Sequence, residues 1–293
     1  MKKKLLTLIS IIAFAFTLSA QNVTIPDANF KAYLLANNAI NTDADKLNIS
    51  FTEAVAFKGK LNVSYRNIVS LVGIEAFINL TYLDCGYTKI TSIDVTKNTA
   101  LTDLHCYNNQ LTSLDVTKNT ALTGLYSSFN KITSLDITNN MALKRLDCYK
   151  NQITSLDLTK NTALTKLLCG YNQLTNIDVT KCTALTYLDC YSNKLINLDL
   201  TKNIGLIKLG TNFNSNLSCI QALNSQDKTN WTKDNTAEYN ENCNYTVGLN
   251  DETIIQPKSI VHIYNIQGQE VSKSYTGLVI YKYTDGTSEK VVQ

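Results

Sequence analysis

The chain has 293 residues, with 27 Lys and Arg against 24 Asp and Glu. Lys2, Lys3 and Lys4 belong to an N-terminal segment that reads as a removable signal, so the rest balances at 24 basic against 24 acidic residues. That neutrality argues against nucleic acid or an anionic membrane surface as the partner.

In chain order, the three lysines are followed by an apolar run over residues 5–16 and then "TLSA" ending at Ala20. This is the order of a secretory signal peptide spanning 1–20, with cleavage after Ala20. A signal anchor is the alternative, but the run is short for a bilayer span. No later run approaches a span, so no transmembrane helix is expected in the mature chain.

Residues 21–60 read as a helical N-terminal cap. "IPDANFKAYLLANN" sets Phe30, Tyr33 and Leu34 on one helical stripe behind Pro26 and Asp27, and "SFTEAVAF" opens a second helix with the capping box Ser50 to Glu53. Between them, Asn41, Asp43 and Asp45 match the first three ligand places of an EF-hand loop, with Glu53 as the candidate bidentate ligand. Lys46 stands where that loop needs glycine, and Glu53 comes one residue late. The default is therefore a helical cap that resembles a degenerate EF-hand, and no cofactor is expected, with calcium kept as an alternative.

Residues 61–217 repeat. Leu80, Leu101, Leu122, Leu143, Leu164, Leu185 and Leu206 are spaced by 21 residues, and a weaker earlier copy sets Leu61, Ile68 and Leu71 22 residues before Leu83, Ile90 and Ile93. Each unit reads LxxLxCxxNx followed by LTxLDVTKNTA, with apolar residues at positions 1, 4, 6, 11, 14 and 16. Alternation within each short run turns those side chains inward, as strands require. The signature LxxLxLxxNxL fits the unit, which resembles the short, internalin-like bacterial class of leucine-rich repeat proteins. The expected fold is mainly β, a leucine-rich repeat solenoid. The second half of the unit is expected to carry strand as well, because "SLDVTKNTA" is β-branched and turn-forming rather than helical.

Three columns have structural readings. The asparagines at position 9, Asn109, Asn130, Asn151, Asn172, Asn193 and Asn214, would hydrogen-bond backbone groups at the bend. Cys85, Cys106, Cys148, Cys169 and Cys190 at position 6 would act as small buried hydrophobes. Asp94, Asp115, Asp136, Asp157, Asp178 and Asp199 at position 15 run beside Lys97, Lys118, Lys160, Lys181 and Lys202, a mutually neutralising ladder unless calcium bridges it.

The outward positions 3, 5, 7 and 8 vary from coil to coil while the other columns stay nearly constant. They carry Tyr82, Tyr87, His105, Tyr107, Tyr126, Phe129, Arg145, Tyr149, Tyr171, Tyr187 and Tyr191. Aromatics at that density mixed with both signs of charge form a candidate ligand-binding face; the plain alternative is that aromatic residues favour strands. No activated nucleophile with an orienting base can be read from the repeats, so no catalytic residues are assigned and the chain is not expected to be an enzyme.

Residues 218–243 follow the decay of the repeat. Cys219 and Cys243 flank a segment containing Trp231, in an exported chain where disulfides persist. A bridge between them would close a C-terminal cap over the open solenoid end. Residues 244–258 read as a linker and 259–293 as a small β module with a turn at Asp285 and Gly286. "IYNIQGQEV", Gly277 before an apolar strand and "DGTSEKVVQ" resemble the C-terminal sorting domain of the bacterial type IX secretion system, although the usual Pro-Asn-Pro opening is missing. That resemblance implies the secretion machinery as a partner and the outer surface of a Gram-negative cell as the destination. The function expected is noncovalent recognition of a protein or polysaccharide, in adhesion, by the aromatic face. The rival is a structural or calcium-dependent surface protein without a specific macromolecular ligand.

Overall fold

The computed structural model describes residues 21–43, 45, 47–243, 260–265, 269–270, 278–283 and 288–292. The signal segment, the linker and the turn at Asp285 and Gly286 lie outside the described residues. The chain divides into two units, one ending at Glu241 and the other starting at Asn242.

Both helices of the N-terminal cap form where their caps require. Asp27 precedes α1 (Ala28–Leu35), and its Oδ1 accepts the Phe30 N–H at 2.9 Å. Its Oδ2 accepts the N–H groups of Val69 at 2.7 Å and Ser70 at 3.2 Å, so one carboxylate starts the helix and ties it to the first coil. Phe30 and Leu34 are fully buried. Ser50 caps α2 (Phe51–Ala56), and its capping box with Glu53 is complete.

Each coil then contributes one three-residue strand to a parallel sheet. The strands are β1 (Lys60–Asn62), β2 (Tyr82–Asp84), β3 (Asp103–His105), β4 (Gly124–Tyr126), β5 (Arg145–Asp147), β6 (Lys166–Leu168) and β7 (Tyr187–Asp189). After β8 (Asn197–Asp199), β9 (Lys208–Gly210) continues the main sheet, and β11 (Trp231–Thr232) closes it as the ninth strand. The position-4 leucines are in register from Leu83 through Leu104, Leu125, Leu146, Leu167 and Leu188 to Leu209. All are buried in one continuous core. The five position-6 cysteines are buried free thiols. Burial pushes the thiols of Cys106 and Cys148 up to about 12, so they pack as apolar groups rather than react as thiolates.

The position-9 asparagines hold the bend in place. Asn130 Nδ2 donates to the carbonyls of Cys106, Ser127 and Ser128, while its Oδ1 accepts the Leu111 N–H at 2.9 Å. Thr88 replaces the amide in its coil, its hydroxyl meeting the Cys85 carbonyl and Asn109 Oδ1, both at 2.8 Å.

The second face departs from the expected strand. Strand occurs there only at the C-terminal end, where β8 pairs with β10 (Cys219–Gln221) and β10 with β12 (Glu238–Asn240). In the earlier coils the Thr N–H at position 17 turns onto its own Asp, and coils are tied by position-19 amides instead. Asn161 Nδ2, for instance, donates to Ile137 O at 3.1 Å and Asn140 O at 3.0 Å, one coil back. Cys182 takes this place in its coil, with Sγ facing Leu158 O at 3.9 Å and Asn161 O at 3.6 Å.

At the far end Trp231 and Tyr239 pack edge to face at 5.7 Å, and a disulfide joins Cys219 to Cys243. The second unit contains an antiparallel sheet of β13 (Ile260–Asn265), β14 (Leu278–Tyr283) and β15 (Ser288–Val292) in that order. Among the described residues no helix is long and apolar enough to cross a membrane.

Candidate recognition face

The outer side of the main sheet is built from positions 3 and 5 of each strand. Near its N-terminal end the His105 ring lies 5.0 Å from Tyr82 and 4.2 Å from Tyr126. The Arg145 guanidinium stands 5.8 Å from the Tyr126 ring. Burial holds the His105 imidazole below its ordinary value and outweighs Asp84 and Asp103, which favour its charged form. Gly124 lies close beside this cluster, and a Cβ there would sit 2.6 Å from Asp103 Oδ1, so a larger residue would push that carboxylate aside. Farther along, Lys166 and Lys208 flank the Tyr187 ring at 4.4 and 5.1 Å. Burial raises the carboxyls of Asp147 and Asp189, whose oxygens accept the Tyr149 and Tyr191 N–H groups.

Positions 7 and 8 form a separate ridge at the bend after the strand. Position 8 is left-handed in every coil: Tyr65, Tyr87, Asn108, Phe129, Lys150, Tyr171, Ser192 and Phe213 have φ between 51 and 61°. For residues other than glycine this costs on the order of 1 kcal/mol each. Neighbouring coils hold it, since the position-8 N–H donates to the next position-7 carbonyl, as Phe129 does to Tyr149 and Tyr171 to Tyr191.

Every coil places one aromatic ring on this ridge. It stands at position 8 in Tyr65, Tyr87, Phe129, Tyr171 and Phe213, and at position 7 in Tyr107, Tyr149 and Tyr191. Where position 8 is aromatic, position 7 is small or amide: Ser64, Gly86, Ser128, Gly170 and Asn212. At the two glycines the packing is close, since a Cβ on Gly86 would lie 2.6 Å from the Tyr107 ring and one on Gly170 would lie 3.1 Å from Tyr149. The rings run as Tyr65, Tyr87, Tyr107 at 4.4 and 5.6 Å. They resume as Phe129, Tyr149, Tyr171, Tyr191, Phe213 at 5.6, 5.1, 5.1 and 4.9 Å. The candidate residues thus divide into a strand cluster of Tyr82, His105, Tyr126, Arg145 and Tyr187 and a ridge of the other six. Tyr65 and Phe213 extend that ridge in the flanking coils; continuing the position-8 column outward would have found both.

The candidate calcium positions are placed differently. Glu53 Oε1 accepts from the Thr42 N–H and hydroxyl and the Asp43 N–H, while Oε2 accepts from the Ser50 N–H and hydroxyl. Burial works to raise this carboxyl, but those donors prevail and bring it down to about 2 from 4.5. Asp43 Oδ1 and Asp45 Oδ1 accept the Asp45 and Leu47 N–H groups, and Asn41 Nδ2 donates to the Leu35 and Asp45 carbonyls. Because the folded value is depressed, Glu53 contributes stability that is complete above pH 4.5 and is lost as pH falls toward about 2. Glu53→Gln should therefore destabilise the protein at pH 7 by about 1–3 kcal/mol. The gap from wild type should close as pH drops through that window, as urea unfolding at several pH values would read. A gap independent of pH would refute this role.

On the second face each position-15 carboxylate is engaged locally, as when Asp136 Oδ1 accepts the Thr138 hydroxyl at 2.7 Å and its N–H at 3.0 Å. The Thr hydroxyl and then the Thr N–H lower Asp94, Asp115, Asp136 and Asp157.

A family of leucine-rich repeats, taken two copies at a time, matches residues 78–119. With the register of the leucines and the asparagine bends, that match decides the architecture. The fold is that of a leucine-rich repeat solenoid. Among solved structures, this solenoid is similar to internalin C2 of Listeria monocytogenes, at 19% identity over 75% of this chain and 97% of that one, with a TM-score of 0.53. The functional domain of InlJ from the same organism, described as including a cysteine ladder, matches at 28% identity over 75% of this chain and 72% of that one, TM-score 0.40. A leucine-rich repeat protein of Leptospira interrogans matches at 23% identity over 57% of this chain and 44% of that one, TM-score 0.47. Curated protein sequences return no match. Leucine-rich repeat solenoids commonly mediate protein–protein interaction, which points to a binding role.

Proposed function

We propose that this solenoid is a non-catalytic recognition protein, working in adhesion outside the cell, and that its ligand is a protein or polysaccharide held by the strand cluster and the aromatic ridge. The carrying observation is the run of aromatic rings contributed by successive coils, five of them at left-handed positions where aromatic residues are disfavoured. Burying such rings against a partner gives large contact area at little entropic cost. The N-terminal signal pattern and the sorting-like C-terminal segment support export and display through the secretion machinery. In the rival reading, calcium on the Asp column or in the N-terminal loop would take the functional role; the carboxylates there already accept donors from their own turns.

Joint replacement Tyr126→Ala and Tyr149→Ala should weaken capture of a cell-surface ligand by more than about 2 kcal/mol. Asp136→Asn with Asp157→Asn, on the other face, should leave affinity unchanged. Pull-down of surface proteins and a glycan array with the purified protein supply the ligand, and titration of both variants reads the effect. The reverse pattern would move the site to the Asp column.

A further inference from the structure

The left-handed column alternates in chemistry as well as in sequence. Tyr87, Phe129, Tyr171 and Phe213 are separated by two coils each, and they expose 46%, 41%, 41% and 65% of their surface. Between them stand the polar residues Asn108, Lys150 and Ser192. With adjacent coils roughly 4.8 Å apart, the more exposed rings recur about every 9.5 Å along the ridge, and midway between them a hydrogen-bonding side chain stands beside the less exposed ring of Tyr107, Tyr149 or Tyr191. Interplanar angles of 46, 61, 30 and 46° from Phe129 to Phe213 show that the rings are splayed, so neighbours do not close face to face over one another.

We propose that this ridge is a rail for an extended, uncharged, β-1,4-linked polysaccharide, a deepening that rests on the recognition reading above. Such a polymer repeats every two sugars at a length close to the two-coil period. Each disaccharide would set the apolar face of one pyranose on an exposed ring and offer hydroxyls to the polar residue beside it. A β-strand peptide fits worse. An extended peptide repeats its side chains every 6.7 Å or so and loses step with the rings within two periods. Charge agrees, because Lys150 is the one charged residue in the column, and its Nζ rests 5.1 Å from the Phe129 ring, beside the platform.

Titration of the purified protein with β-1,4-linked gluco-oligosaccharides and chitin oligosaccharides tests the rail, with an α-1,4-linked glucan as control. Affinity should rise from disaccharide to tetrasaccharide to hexasaccharide, and the α-linked chain, which curves, should bind at least about tenfold more weakly. The informative variant is Phe129→Asn with Tyr171→Asn, because Asn108 already holds the same backbone conformation and the fold should be kept. It should lose at least about tenfold in affinity for the hexasaccharide, with a single cooperative melting transition lowered by no more than about 5 °C as the control on folding. Absence of binding to every β-linked oligosaccharide, or binding indifferent to length or to this variant, would overturn the rail. If the oligosaccharides fail but a surface protein binds and is lost in the Tyr126 and Tyr149 double variant, the rail falls and the recognition reading stands. If neither depends on the aromatic residues, both fall.

Discussion

Cys148→Asp should unfold the central coils, at a cost of about 4 kcal/mol or more, while Tyr149→Ala one residue later should cost about 1 kcal/mol. The contrast follows from the two sides of one strand end. Cys148 is 1% exposed in the apolar column, where burial already drives its thiol up to about 12. A carboxylate there would have no cation and no free donor, since the adjacent Asn151 and Asn172 amides are spent on carbonyls. Tyr149 stands on the outer ridge and loses ring contacts with Phe129 and Tyr171 only. In a solenoid each coil leans on its neighbours, so a defect at coil 143–163 should uncouple the N-terminal and C-terminal halves. Thermal melting should become broad or biphasic in the Asp variant. Similar curves for the two variants would refute the inside-outside assignment.

Two asparagine columns that look alike in the sequence should respond very differently to substitution. Asn172→Leu should destabilise by about 3–5 kcal/mol. Its Nδ2 donates to the carbonyls of Cys148 and Cys169 at 3.0 Å and Gly170 at 3.2 Å, and its Oδ1 accepts the Ile153 N–H at 3.0 Å. Leucine would leave those backbone groups buried without partners. Asn161→Cys should cost no more than about 1.5 kcal/mol. That amide serves two carbonyls, its Oδ1 has no partner, and Cys182 already occupies the equivalent place one coil later. Urea unfolding of both variants decides the matter; equal losses would mean that the columns share one role.

The inside and outside of the coil were legible in the sequence because both depend on a local pattern repeated many times. Alternating apolar residues leave strands one way to bury them, so Leu104, Cys106 and Val116 lie inside as their positions required. The capping box Ser50 to Glu53 and the cap of α1 at Asp27 were legible for the same reason, each being set by residues three apart. Cys219 and Cys243 stood out as the pair beyond the column, and they are bonded.

Tertiary structure alone decided the features that join one coil to the next. The left-handed conformation at position 8 leaves no glycine trace, because what enforces it is a backbone bond to a residue about twenty positions away, such as Phe129 N–H to Tyr149 O. The ring-to-ring contacts and the close packing around Gly86 and Gly170 appear only when adjacent coils are stacked. The second face was read as strand from its β-branched residues, yet the coils before β8 form none there; Asp199 accepts the Thr201 N–H just as the aspartates of those strandless coils accept theirs, so this local bond does not decide which coil pairs. Propensity describes a residue with its near neighbours, whereas the competition between a turn and a ladder is settled by the coil on either side.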